Sequence, residues 1–80
     1  MRNIKLVVKS EAQYTKTIAE LDSLGVKGFL VFGYTDAPTY GIRVWSDNTY
    51  TDGTSSSISG DTYTKRKKFI QDVKIMLGKE

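Results

Sequence analysis

Residues 4–9 alternate in polarity, with Ile4, Leu6 and Val8 on one side and Lys5, Val7 and Lys9 on the other, which is the period of a half-buried strand. The period then lengthens. Tyr14, Ile18 and Leu21 recur at helical spacing behind a Ser10 to Gln13 capping box, and Gly25 followed by Val26 supplies a Schellman-type stop. A helix is therefore predicted between Ser10 and Gly25.

The run from Gly28 to Tyr34 is apolar with aromatic and β-branched residues, which predicts an inner strand. Pro38 presets a turn within residues 35–39, and residues 40–46 alternate again, so a hairpin is expected. With that loop centred on Ala37, Leu30 lies opposite Val44 and Phe32 opposite Ile42 on the core side, while Phe29 faces Trp45 and Val31 faces Arg43 on the other. A second turn at Asp47 and Asn48 returns residues 49–52 as a further strand, with Tyr50 opposite Trp45 and Asp52 opposite Arg43.

The serine- and glycine-rich segment 54–60 is expected to be a flexible loop. Asp61 or Thr62 is the predicted cap of a second helix, whose buried stripe is Phe69, Ile70, Val73, Met76 and Leu77 and whose stop is Gly78. The expected fold is α+β, a single domain over residues 1–80 in the order β-α-β-β-β-α, with two helices on one face of a small mixed sheet.

Composition narrows the function classes. A chain of 80 residues buries only roughly 60–65% of its unfolded surface, so its core is thin and leaves little material for a deep cleft. It contains no cysteine and no histidine, which removes disulfides, thiolate zinc sites, imidazole ligands and imidazole triads. No catalytic residue, metal or cofactor is expected, and the chain reads as a non-enzymatic binding domain. No apolar run approaches the ~20 residues of a membrane span, and Met1 to Asn3 lead straight into the first strand, so no membrane partner is expected.

The net charge of +3 resides in residues 61–80. Lys65, Arg66, Lys67 and Lys68 fall at the start of the second helix, where cations oppose the macrodipole, and no glutamate pairs with them at i,i+4. They read as a solvated face, with contacts to phosphate or an acidic surface as the alternative. Asp36, Asp47, Asp52 and Asp61 all lie in or beside turns, where aspartate bonds local backbone.

The expected register places Phe29, Trp45 and Tyr50 in an aromatic row on the sheet face away from the helices, beside Val7, Val31 and Arg43 and rimmed by Lys5 and Lys9. Aromatic and arginine residues within a charged rim suit a partner-binding surface. Its occupant is expected to be a protein. A second copy of the chain or the serine-rich loop are the alternatives within that class. A nucleic acid bound through the same face and the basic helix start is the alternative from another class.

Two resemblances bear on this. Lys27, Gly28, Phe29 and Tyr34 partly resemble the first ribonucleoprotein motif of RNA-recognition domains, from which Leu30 and Val31 depart. Leu21 to Lys27, the apolar run, and then Val44 to Gly53 resemble small bacteriophage-encoded accessory proteins that combine a capped helix with a turn-linked hairpin. This second resemblance covers about two-thirds of the chain and implies a cytoplasmic protein that binds a host factor and inhibits or modulates it. It implies no catalytic residue.

Overall fold

The structure is a computed structural model and describes residues 2–54 and 61–80. Its elements are β1 (Asn3–Val7), α1 (Glu11–Ser23), β2 (Lys27–Gly28), β3 (Gly41–Trp45), β4 (Thr49–Gly53), β5 (Asp61–Tyr63) and α2 (Arg66–Leu77). The strands form one five-stranded sheet in the order β2-β4-β3-β1-β5. β1 and β3 pair antiparallel, as do β3 and β4, while β5 joins β1 and β2 joins β4 in parallel. Both helices pack on one face, so the expected α+β architecture holds.

The first helix forms as its caps dictate. Ser10 Oγ accepts from the Gln13 amide at 3.1 Å, and Gln13 Oε1 accepts from the Lys9 amide at 3.0 Å. At the other end Gly25 takes φ +80°, and Val26 N–H reaches the Leu21 carbonyl at 3.0 Å while Gly25 N–H reaches that of Asp22 at 3.0 Å. That is a Schellman closure, with Val26 buried close to Leu21.

Ile4, Leu6 and Val8 of the first alternating run, with Ile42, Val44 and Tyr50, supply the core face of the sheet. Tyr14 and Leu21 from α1, with Phe69, Ile70 and Val73 from α2, close over it. Each fully buried large apolar side chain stabilises the fold by about 1.5–3 kcal/mol relative to exposure. The second layer thus depends on a few positions.

Between β2 and β4 three expectations fail. The strand over residues 28–34 shrinks to β2, an edge strand paired with β4, and its hairpin with β3 is absent because β1 occupies the place beside β3. Leu30 and Phe32, expected in the core, are exposed. The second hairpin is displaced by one residue: Trp45 pairs with Thr49 and Val44 with Tyr50, so Tyr50 turns to the helix side and Asp52 lies opposite Ile42 rather than Arg43. Its turn spans Ser46, Asp47 and Asn48, with Asn48 at φ +70°, and the third turn residue causes the flip.

At the far edge, Asp61 and Thr62 belong to β5 instead of capping α2. Pairing with the open side of β1 moves the helix start to Arg66, and Lys65 occupies the cap position without a side-chain bond. The expected loop, from residue 55 onward, lies outside the described residues.

Gly41 has a steric role that the chain pattern does not reveal. A Cβ there would stand 2.2 Å from the Leu6 carbonyl oxygen, a backbone atom fixed in the β1–β3 ladder. Gly41→Ala is expected to destabilise the domain by about 1–3 kcal/mol, the usual range for overpacking. Urea unfolding followed by far-UV circular dichroism checks this, and an unchanged midpoint would show that the ladder yields.

Candidate functional site

Between β2 and β3 the chain runs for twelve residues outside the sheet, Phe29 to Tyr40. Phe29, Leu30, Val31 and Phe32 are 60%, 62%, 41% and 80% exposed, four consecutive apolar side chains in water. Such a run with strand-forming residues would normally be buried or paired. Here it is not buried and only the Phe29 amide reaches a strand, yet its position is fixed.

The fixing group is Asp52 on β4. One carboxylate oxygen accepts from the Phe32 amide at 2.9 Å, and the other accepts from the Gly33 amide at 2.9 Å and the Tyr14 hydroxyl at 2.8 Å. The Tyr40 hydroxyl donates to the Gly33 carbonyl, and the rings of Tyr14, Tyr34 and Tyr40 pack in tilted and edge-on pairs at centroid separations of 5.9–6.3 Å. Hydrogen bonds to a charged acceptor contribute about 1.5–3 kcal/mol each. Together they outweigh the roughly 1–2 kcal/mol of strain at Leu30, which sits in the left-handed region at φ +56°.

Behind the loop lies a shallow groove of about 360 Å³ lined by Phe29, Leu30, Trp45, Asp47, Thr49 and Thr51. The Phe29 amide bonds the Tyr50 carbonyl at 2.8 Å, which seats Phe29 against β4 on the face away from the helices. Trp45 shares that face, as its pairing with Thr49 requires. Arg43 lies over the Trp45 ring at 5.8 Å from its centroid and steadies the wall.

The residues expected to form the aromatic row divide accordingly. Phe29, Val31 and Trp45 line or flank the exposed loop and groove. Tyr50 is buried beneath α1, donating to Asp22 Oδ1 at 2.9 Å. Lys5 and Arg43, although on the face away from the helices, are buried: Lys5 Nζ donates to the Thr39 carbonyl at 2.8 Å, and Arg43 Nη1 to Asn3 Oδ1 at 2.6 Å. Burial, reinforced by the Arg43 charge, lowers the Lys5 pKa, and burial lowers that of Arg43. Val7 is half-buried, and Lys9 is exposed beside Tyr34, Asp36 and Pro38.

The basic run is partly neutralised within the chain. Arg66 pairs with Glu20 of α1, and Lys68 with Asp72 at 3.5 Å and i,i+4, the partner role for which no glutamate was available. The Tyr63 hydroxyl, then Lys68, hold the Asp72 carboxyl below its ordinary range. Lys65 and Lys67 remain exposed. The carboxylates are dispersed: Asp36 borders the cleft beside Lys9, Asp47 borders the groove, and Asp52 faces α1. Asp47 does bond locally, accepting from Thr49 Oγ1 at 2.5 Å, as its turn position suggests. Asp52 does not; its partners lie 19 to 38 residues earlier in sequence, and only the correct hairpin register would have placed it among the tyrosines.

Burial, then the Asp22 carboxylate, raises the Tyr50 hydroxyl to about 12. Burial, then Asp52, raises Tyr40 to about 12 and Tyr14 further. Tyrosines that ionise near 10 when unfolded but later when folded favour the native state below pH 10 and lose that contribution as pH rises toward 12. Stability measured by urea unfolding is expected to fall across that window, and less steeply in Tyr50→Phe. Equal slopes in both proteins would remove Tyr50 from the linkage.

Comparison of the chain with protein-family models, with curated proteins and with solved structures found no match.

Proposed function

We propose that the chain is a small non-enzymatic binding protein that engages another protein through the Phe29–Phe32 loop and the groove shared with Trp45. The observation that carries this reading is a run of four exposed apolar side chains held in place by the Asp52 carboxylate. A preordered apolar surface loses little conformational entropy on association and gains by leaving water, the conditions under which aromatic anchors dominate an interface. Resemblance to phage accessory proteins supports a host protein as the partner and the cytoplasm as the place, with inhibition or modulation as the outcome.

A nucleic acid is the second reading. It is favoured by the start of α2, where no side chain caps the helix and an open cleft is lined by Thr62, Tyr63, Thr64, Lys65 and Lys68. The burial of Lys5 and Arg43 removes two of the cations that reading relied on. Phosphate contacts would make affinity fall by roughly one log unit per contact for each tenfold rise in salt. Oligonucleotide titration at low salt separates the readings, since absence of binding there eliminates the second.

For the first reading, Trp45→Ala is expected to weaken capture of the partner from host lysate by about 2 kcal/mol or more, the scale of a hot spot. Its circular dichroism should remain that of the parent. Capture of the same proteins to the same extent by parent and variant would refute the proposed surface.

A further inference from the structure

The apolar loop carries both a protrusion and a recess. Phe32 projects into water at 80% exposure, while Phe29 and Leu30, three and two residues earlier, form one side of the groove whose other side is Trp45. A two-fold interface requires that one patch supply both halves of every contact. This patch does so for shape.

It does so for charge as well. Lys27 on β2 is exposed and pairs in register with Thr49, while exposed Asp47 stands two residues before Thr49 at the groove's rim. Neither forms a salt bridge among the described residues. The cations responsible for the net charge lie in residues 61–80, which form the β5 and α2 side of the sheet, whereas β2 is the opposite edge. Two copies meeting along β2 therefore bring little of their excess charge together. With ~150–250 Å² per aromatic side chain, Phe29 and Phe32 alone leave roughly 200–350 Å² of apolar surface in water on each copy. That suits a modest, concentration-dependent contact rather than an obligate interface.

We propose that, when no other protein covers it, this loop is occupied by a second copy of the chain. The two copies form a two-fold dimer in which Phe32 of each enters the Phe29–Trp45 groove of the other and Lys27 of each meets Asp47 of the other. The inference uses the surface of the partner reading but is tested apart from it: self-association is measured on the chain alone, so its failure leaves a host protein free to bind the monomer, and failure of host capture leaves the dimer standing.

Sedimentation equilibrium of the whole chain from low to high micromolar concentration tests it. The average mass is expected to rise from monomer toward dimer, and Phe32→Ser, at a position too exposed to affect folding, to weaken association about tenfold or more, the equivalent of ~1.4 kcal/mol. Lys27→Glu and Asp47→Lys should each weaken it, and the double substitution should restore it, because only reciprocal pairing recovers when both charges are exchanged. A parent chain that stays monomeric throughout overturns the proposal. So does association that Phe32→Ser leaves unchanged, or a double variant no better than either single one.

Discussion

The turn at Ser46, Asp47 and Asn48 is the constraint on which the rest of the structure depends. A two-residue turn would place Tyr50 opposite Trp45; the three-residue turn, closed by Asn48 at φ +70°, places it opposite Val44. Side chains alternate across a sheet, so this single residue sends Tyr50 and Asp52 under α1 together. Tyr50 then meets Asp22, and Asp52 meets Tyr14 and the amides of Phe32 and Gly33. The docking of α1 and the path of the apolar loop are both consequences of one turn.

The same dependence explains what could be read in the chain and what could not. Ser10, Gln13, Gly25 and Gly78 announce helix ends through chemistry confined to a few residues, and both ends of α1 and the end of α2 fall where they indicate. The alternation at 4–8 and 41–45 identifies strands because each has one apolar face. Residues 28–34 have the composition of an inner strand, but β-propensity describes a fit to a half-buried surface, not a guarantee of obtaining one. β1, whose alternation supplies Ile4, Leu6 and Val8 to the core, takes the central place, and the apolar run is left at the edge. The competition between two segments for one neighbour is a tertiary matter. No local pattern records its outcome.

The candidate site shows the same division. Phe29 and Trp45 were legible as a pair facing away from the helices, although the strand arrangement that brings them together is different from the one expected. Tyr50 was misplaced by the one-residue shift. Asp52 could be recognised as a hydrogen-bonding residue, yet its partners, Tyr14, Phe32 and Gly33, are remote in sequence. Lys5 and Arg43 occupy polar positions in the alternation and nevertheless are buried, each donating to an oxygen of another segment. Alternation reports the face of a strand and leaves open whether that face is wet.

A loop that displays Phe29 to Phe32 could be an accident of an edge if nothing held it there. Left to composition alone, those residues would collapse onto any nearby apolar surface, and Leu30 would not occupy the left-handed region. Instead an aspartate beneath the sheet spends its acceptor capacity on two amides and a tyrosine hydroxyl, while Gly33 carries a further bond from Tyr40. Anchoring immediately after the exposed run fixes its backbone and leaves the side chains outward. Polar bonding that could have stabilised an ordinary core is thereby directed to the presentation of apolar groups. That allocation distinguishes an apolar run held outward by polar bonds from a hydrophobic segment merely displaced from the sheet.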